Sequence, residues 1–401
     1  MSFGMKRGFL KQTQPVQSPT PNRKATLDTR IQFSEACRLY SENPYIVVAD
    51  YRSSSPHGFL FLPSKSDARL VIVDSLDNIQ AISKLPLWND PWPSPPESTA
   101  FMIKDCGPAK SLGMFARRPI ARGDLIALER PVYVARQALK IHVDQRMVFD
   151  NAALAGLSPA SQASITSLHN CQPEIADGHI RGVILTNAFP ANIPDLAEPR
   201  TALFPTLCRA NHDCRPNAHY SFCKDTFTGR LVAVRPIVAG EEITVGYIDV
   251  AGPRAKRQED LKRYRFLCAC KTCSLPPGLA AASDTKRSAL AAYFASMKDA
   301  KIPPGATLAR IKELIRWAEE EGLVQAASLM SLSGLRVASR EGKSEEALRF
   351  MVTSVNHTRS LEGNDSAAVH TFASKTGLSV AELLTALDRE SIDHKIFGQL
   401  A

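Results

Sequence analysis

Residues 211–217 read Asn-His-Asp-Cys-Arg-Pro-Asn, and residues 268–273 read Cys-Ala-Cys-Lys-Thr-Cys. Four deprotonated thiols at tetrahedral corners form a structural zinc site with no open position for water, and the second segment supplies three of them from one turn. Spacing alone leaves the fourth ligand open among the other cysteines. Cys214 is favoured because the Asn, Asp and Pro residues around it form loops that can hold a thiolate near another segment. The alternative is a set of buried thiols without metal. The predicted zinc ligands are Cys214, Cys268, Cys270 and Cys273.

The length and composition predict an intracellular globular protein. A chain of 401 residues is long enough for two or three domains, and 44% hydrophobic with 22% charged residues is typical of soluble proteins. No apolar run approaches the roughly 20 residues that cross a bilayer, and residues 1–11 lack the apolar stretch of a secretory signal. We therefore expect a nuclear or cytoplasmic protein without a membrane partner. The nine cysteines are odd in number and mostly scattered, which fits free thiols and metal ligands better than a disulfide framework.

The formal net charge of +9 is concentrated in residues 1–40 and 252–273, each with seven basic and two acidic residues. Such segments can attract nucleic acid or nucleosomes, so a weak nucleic-acid contact is one prediction. A solvated tail that only aids solubility is the alternative. Residues 1–40 also mix charge, Pro and polar residues without periodicity, and we predict that they are disordered.

The order of strand and helix signals predicts an α+β chain. Short apolar runs predict a small β-containing region over residues 41–97, which ends at a proline cluster. Residues 98–250 carry strand-like runs interrupted by a segment of helical periodicity at about 137–180, so a helical insert is expected to split a β domain. Residues 251–277 hold the cysteine-rich zinc segment.

Strand signals vanish over residues 283–401, where amphipathic helices alternate with short Gly- or Pro-containing links. This pattern predicts an all-α region of helical hairpins, similar in kind to tetratricopeptide repeats but without a regular repeat. A plain bundle that supports the preceding domain is the alternative. The predicted helices span residues 289–297, 308–320, 323–339, 344–361 and 380–387.

Three segments, in this order, resemble signatures of SET-domain protein lysine methyltransferases. Residues 211–217 resemble the Asn-His-Ser-Cys-x-Pro-Asn signature, with Asp213 in place of Ser. Residues 240–249 resemble the second SET signature, and residues 264–273 resemble the cysteine-rich post-SET segment. The resemblance covers about residues 99–273.

The split layout followed by helices is similar to the SMYD branch of this family. That branch carries a zinc-binding MYND module in the insert, whereas this chain has only Cys171 between Tyr133 and Asn187. The chain therefore resembles a SMYD-type SET protein without MYND. The implied fold is a β-rich SET domain with a helical insert and a post-SET zinc site, followed by an all-α region.

The resemblance implies transfer of a methyl group from S-adenosylmethionine to a lysine of a histone or another protein. Such an in-line displacement requires alignment and a neutral amine more than a strong acid or base. Tyr247 is the implied catalytic residue, at the point where the cofactor and lysine pockets meet. A core tyrosine at a strand end is its alternative.

The resemblance also implies the cofactor contacts. Asn211 and His212 match the pair that contacts the cofactor, and amide and imidazole groups suit its polar parts. Phe266 matches an aromatic that stacks on adenine, and Asn187 matches the Asn that ends the insert, although a turn or cap residue is its alternative. Residues 111–116 resemble a Gly-x-Gly-Leu-x-Ala turn in which Ser111 replaces the first glycine. The implied contacts are Gly113, Met114, Asn187, Asn211, His212, Tyr247 and Phe266.

Two other functions fit parts of the sequence. A SET-like module without turnover could act as a chromatin or protein-interaction scaffold, and the departures at Ser111 and Asp213 favour it. A zinc module could bind DNA through its basic face, although no recognition helix is evident. The residues of that face are Arg254, Lys256, Arg257, Lys262, Arg263 and Arg265.

Overall fold

A computed structural model describes residues 46–49, 57–64, 67–89, 100–107, 110–137, 143–172, 179–193, 196, 198–297, 302–303 and 305–388. The predicted disorder of residues 1–40 lies outside these residues. The strands are β1 Ile46–Ala49, β2 His57–Leu62, β3 Leu70–Ser75, β4 Phe101–Asp105, β5 Leu112–Ala116, β6 Leu125–Glu129, β7 Tyr133–Arg136, β8 Phe189–Ala191, β9 Arg200–Leu203, β10 Asn211–His212, β11 Ala218–Cys223, β12 Thr228–Ala233 and β13 Glu242–Val245.

The described strands form sheets in the orders β1-β2-β3-β7-β9-β8, β10-β13-β5-β4 and β11-β12-β6. The first sheet joins β3 to β7 in parallel, whereas its other pairs are antiparallel. The strands of the region predicted over residues 41–97 therefore pair with strands on the other side of the proline cluster. Every residue of β2 is buried, so other elements must cover both faces of this strand.

The helices are α1 Leu76–Ser83, α2 Val143–Ala155, α3 Pro159–Thr166, α4 His179–Asn187, α5 Arg254–Leu261, α6 Pro277–Ser296, α7 Leu308–Glu320, α8 Val324–Arg340, α9 Ser344–Glu362, α10 Ala367–Thr376 and α11 Val380–Asp388. Helices α2 to α4 lie between β7 and β8, where a helical insert was predicted. Helices α6 to α11 follow the cysteine-rich segment. A β-rich domain followed by a helical region is confirmed as the fold class.

Two helices differ from the predictions for the C-terminal region. Helix α6 begins at Pro277, twelve residues before the helix that was predicted over residues 289–297. Proline is tolerated in the first turn of a helix, because its missing N–H would have no partner there. Helix α10 was not predicted, although its ends carry clear signals: the Ser366 hydroxyl accepts from the amide of Val369, and Gly377 adopts a left-handed conformation.

The helical region packs directly against the β domain. Arg230 of β12 pairs with Asp365 at 2.9 Å, and the guanidinium of Arg122 donates to the Ser360 hydroxyl at 2.6 Å. The backbone amide of Asn364 donates to the carbonyl of Gly123 at 2.9 Å. A separate small core gathers cysteines and aromatic residues around residues 247–273. None of the described helices is both long and apolar enough to cross a membrane.

Candidate active site and metal centre

The four predicted zinc ligands meet in one cluster. The sulfurs of Cys214, Cys268, Cys270 and Cys273 all lie within 4.8 Å of one another. The sulfur of Cys214 is 3.9 Å from that of Cys268 and 3.6 Å from that of Cys273. Thiolates about 2.3 Å from a tetrahedral zinc would be about 3.8 Å apart, so the spacing fits this ion. The cluster can hold a metal ion, and Zn2+ is the ion that its chemistry favours.

Side chains around the cluster hold its loops and offset thiolate charge. The side chain of Gln258 forms two hydrogen bonds with the backbone of Cys268. Its nitrogen donates to the Cys268 carbonyl at 2.8 Å, and its oxygen accepts from the Cys268 backbone amide at 3.1 Å. The buried Arg257 guanidinium lies 3.9 Å from the sulfur of Cys273 and donates to the Gly252 carbonyl at 2.6 Å. Such outer contacts orient metal ligands and tune their affinity.

A cavity of about 720 Å3 adjoins the metal cluster. This volume lies within the range of about 300–1,000 Å3 that is typical of small-molecule sites. The walls come from the insert, the two ends of the β domain and the cysteine-rich segment. They comprise Lys110, Ser111, Leu112, His169, Asn170, Cys171, Thr186, Asn187, Cys208, Arg209, Asn211, His212, Asp213, Glu242, Thr244, Tyr247, Tyr264, Arg265, Phe266, Leu267, Cys268, Ala269 and Cys270.

Tyr247 lines this cavity with its side chain half-buried. Its hydroxyl donates to the carbonyl of Ala210 at 3.0 Å, which fixes the orientation of the ring. The ring centroids of Tyr247 and Tyr264 are 5.2 Å apart, and the Tyr264 hydroxyl donates to the Tyr247 carbonyl at 3.4 Å. Tyr264 was not among the predicted site residues, although it lies within the cysteine-rich segment that carried the resemblance.

The pair Asn211 and His212 forms β10, which runs parallel to β13 and places His212 opposite Val245. The Asn211 amide donates to Glu242 at 2.9 Å. The Nδ1 of His212 accepts from the amide of Tyr247 at 3.1 Å, which leaves the proton of a neutral imidazole on Nε2. That nitrogen lies 3.4 Å from the sulfur of Cys214. The imidazole therefore links the Tyr247 backbone to the metal cluster through both ring nitrogens.

Phe266 faces the cavity beside the same histidine, with ring centroids 6.2 Å apart. The preceding Arg265 adopts a left-handed backbone conformation at φ 59°, which turns the chain sharply before Phe266. A non-glycine residue in this conformation is uncommon and is concentrated at functional sites. Phe266 supplies an aromatic face within the cavity, and its stacking on adenine stays a prediction.

The turn that precedes β5 reaches the cavity through the residues that come before Gly113. Lys110, Ser111 and Leu112 line the cavity, whereas the Met114 side chain is fully buried in the core, so only its backbone could reach a ligand. A Cβ on Gly113 would lie 2.5 Å from the sulfur of Cys106 and 3.0 Å from the amide nitrogen of Asn211. Gly113 therefore serves the site by leaving room for the Asn211 side chain.

Asn187 lies at the end of the insert, where its amide donates to the carbonyls of His169 at 2.7 Å and Val183 at 2.8 Å. The Val183 bond reaches back one turn along α4, and the His169 bond ties this helix to the preceding loop. The residue is buried yet lines the cavity. Its amide thus has the structural role of a helix-end residue in addition to its position at the site.

Charged groups form one end of the cavity. Lys110 and Glu242 pair at 2.8 Å, a contact that no local sequence pattern predicted. Burial by itself would lower the pKa of the Lys110 amine. The hydrogen bond and the negative charge of Glu242 outweigh this effect, so the pKa of Lys110 lies above its ordinary value. Burial raises the pKa of the Asp213 carboxyl to about 6, although the Arg215 amide donates to it at 2.7 Å.

Comparison with known proteins gives a family match for part of the chain. Residues 111–248 match the SET domain family. The chain is 28% identical over 263 residues to the histone-lysine N-methyltransferase set5 of Schizosaccharomyces pombe, a match that spans 65% of this chain and 78% of that protein.

Two SMYD proteins are similar over shorter segments. The chain is 33% identical over 109 residues to the N-lysine methyltransferase SMYD2-B of Xenopus laevis, covering 27% of this chain and 25% of that protein. It is 34% identical over 94 residues to the histone-lysine N-methyltransferase SMYD3 of Mus musculus, covering 22% of this chain and 21% of that protein. The chain thus spans about a quarter of these SMYD relatives. With its three SET signatures, its cysteine cluster and these relatives, the chain carries a SET domain over residues 111–248 and is similar to set5 and to SMYD-type lysine methyltransferases.

Proposed function

We propose that this protein is an S-adenosylmethionine-dependent protein lysine N-methyltransferase that acts on histone or other protein lysines. The observation that carries the proposal is the position of Tyr247. Its hydroxyl is anchored on Ala210 at 3.0 Å inside the cavity, and its backbone is tied through His212 to the metal cluster. The similarity to set5 over most of that protein's length supports the same activity.

The chain's own residues supply alignment rather than acid or base strength. The ring of Tyr247 is packed between His212, with centroids 5.4 Å apart, and Tyr264 at 5.2 Å. The bond to Ala210 fixes the direction of the Tyr247 hydroxyl, so its oxygen is held in one place relative to a methyl group or an amine N–H. Positioned groups of this kind lower a displacement barrier by avoiding reorganisation at the moment of reaction.

S-adenosylmethionine would supply the methyl group as part of a positively charged sulfonium. Aromatic faces attract cations and stack on flat rings, and Phe266, Tyr247 and Tyr264 supply such faces within the cavity. Lys110, Glu242 and Asn211 offer the charged and amide groups that the amino-acid end of such a ligand requires.

The fit of the sulfur spacing supports a structural Zn2+ held by Cys214, Cys268, Cys270 and Cys273. Because these cysteines flank the cavity wall at residues 264–270, metal binding would also order the wall that faces the cofactor.

A protein lysine is the substrate class that this family relationship favours, and we propose an intracellular location in the nucleus or cytoplasm. Exposed basic residues beside the metal cluster support an additional weak contact with nucleic acid or another acidic surface. They include Arg254, Lys256, Lys262, Arg265 and Lys271. Lys256 and Lys262 are partly neutralised by Asp260 and Glu259.

Two paired assays on the purified protein test the proposal. Calorimetry measures binding of S-adenosylmethionine, and transfer of a radiolabelled methyl group to a panel of histones and lysate proteins measures turnover. We expect the wild-type chain to bind and transfer, and Tyr247→Phe to bind with little transfer. Binding without any transfer by the wild type would favour the scaffold alternative over the enzyme.

A further inference from the structure

A polar cluster with a buried ion pair joins the helical region to the loop that carries a metal ligand. The buried pair is Arg287 of α6 and Glu321 at the turn between α7 and α8, and the exposed Arg215 beside Cys214 joins it from the surface. The Arg287 side chain is fully buried, and Glu321 is 3% exposed. Charged groups are retained in such surroundings only when their partners satisfy them, so their contacts define what the cluster holds together.

The guanidinium of Arg287 contacts three separate segments. Its Nε donates to the carboxylate of Glu321 at 3.0 Å, and its Nη2 donates to the Cys214 carbonyl at 3.3 Å. Its Nη1 donates to the carbonyl of Val250, three residues after Tyr247. One side chain of the helical region therefore connects the backbone of a metal ligand with the segment that follows the proposed catalytic tyrosine.

Glu321 completes the connection from the opposite side. Its carboxylate accepts from the Ser283 hydroxyl at 2.7 Å and from Arg215 at 3.3 Å, and its carbonyl accepts from Nε of Arg215 at 3.1 Å. The next residue, Gly322, has φ +65°, and a Cβ there would lie 2.4 Å from Cγ of Arg215. The turn is therefore in close contact with the metal-ligand loop.

We propose that Arg287 is a positioning residue of the cofactor site, which makes the helical region a structural part of that site. By holding the carbonyls of Cys214 and Val250, it fixes the loops that follow His212 and Tyr247. Loss of this guanidinium frees the Cys214 loop, so the metal is released faster and the cavity wall that depends on the cluster loosens. The effect on cofactor binding rests on the proposed function, whereas the effect on metal retention does not.

A buried arginine elsewhere in the helical region provides a matched control. Arg359 of α9 is 1% exposed, and its bonds to Asn356 and Asp388 stay within the helical region. Arg287→Met and Arg359→Met each remove a buried guanidinium from the same region. A role limited to stability predicts the same consequences for both variants, whereas positioning of the site predicts an effect of Arg287 alone.

The experiment measures three quantities on the full chain loaded with zinc: melting temperature, the rate of zinc release to a chromogenic chelator, and the Kd for S-adenosylmethionine. We expect Arg287→Met to release zinc about 10- to 100-fold faster, the range typical of lost outer-shell contacts. It should also bind the cofactor about tenfold more weakly, which corresponds to about 1.4 kcal/mol. Arg359→Met should lower the melting temperature while leaving zinc release and cofactor Kd unchanged.

Equal zinc release from the two variants at temperatures where both are folded would overturn the inference. If Arg287→Met does not fold, Glu321→Gln replaces it, because this change keeps the side-chain volume while removing the charge that orients both arginines. Faster zinc release from Glu321→Gln than from Arg359→Met would then support the inference, and equal release would overturn it. Zinc release requires no methyl transfer, so a wild type without activity would refute the proposed function alone.

Discussion

Gly113→Ala tests the geometry of the cofactor site through a single methyl group. The added Cβ would lie 2.5 Å from the sulfur of Cys106 and 3.0 Å from the amide nitrogen of Asn211. Ordinary carbon contacts lie at about 3.5–4.0 Å, so the thiol must move by about 1 Å. Overpacking of this size destabilises proteins by about 1–3 kcal/mol.

The displacement should reach the cofactor site as well as the free energy of unfolding. The side-chain nitrogen of Asn211 must shift from the added Cβ, which disturbs the bond that it now donates to Glu242 at 2.9 Å. Loss of one such bond, worth about 1.5–3 kcal/mol when the acceptor is charged, predicts a Kd for S-adenosylmethionine raised at least about tenfold. Urea unfolding measures the first effect, and calorimetry measures the second.

Two further variants separate the effect of the clash at Gly113 from the general effect of replacing glycine by alanine. Cys106→Ala in the Gly113→Ala background removes the closest clashing atom, so it should recover at least half of the lost stability. Gly278 lies in α6, where an added Cβ meets nothing within 4 Å, and Gly278→Ala should stabilise the chain by about 0.5–1 kcal/mol. Unchanged cofactor affinity in a folded Gly113→Ala protein, or no recovery in the double variant, would refute the reasoning.

Three other predictions concern the metal, the backbone and pH. Cys270→Ser should lose zinc and weaken binding of S-adenosylmethionine in calorimetry, because Phe266 and Tyr264 lie on the same segment; unchanged affinity in a folded, zinc-free protein would contradict it. Ser111 has φ 58°, so Ser111→Gly should raise the free energy of urea unfolding by about 0.5–1 kcal/mol, and a decrease would contradict strain there. Burial lowers the pKa of His219 to about 4, against about 6.5 when unfolded, so only the unfolded chain gains this proton between those values. Relative to His219→Gln, wild-type stability should therefore fall by up to about 1.4 kcal/mol per pH unit as pH drops from 6.5 towards 4, and parallel pH profiles would contradict this.

The metal cluster was predictable because its chemistry demands particular residues at short spacing. Cys268, Cys270 and Cys273 lie within six residues of the sequence, and the loop character around Cys214 favoured it as the fourth ligand. The amphipathic period of α7 likewise gave its observed limits, Leu308–Glu320. Patterns of this kind can be read from the sequence because most of the residues that form them lie within one short segment.

Contacts between distant segments could not be predicted in this way. Glu242 and Lys110 lie 132 residues apart, and Arg287 lies 73 residues from Cys214, so no local period connects them. The pairing of β3 with β7 likewise depends on tertiary packing across the proline cluster. The placement of Met114 in the core shows the same limit, since a turn motif does not specify which way each side chain points.

The proposed role of Tyr247 is to promote methyl transfer to a protein lysine within this cavity. Mass spectrometry of a histone and peptide panel, after incubation with S-adenosylmethionine and either wild type or Tyr247→Phe, tests it. We expect lysine methylation by the wild type and a rate at least about 100-fold lower for the variant, with cofactor affinity retained. Equal methylation by both proteins, or no methylated lysine despite saturating cofactor, would contradict it.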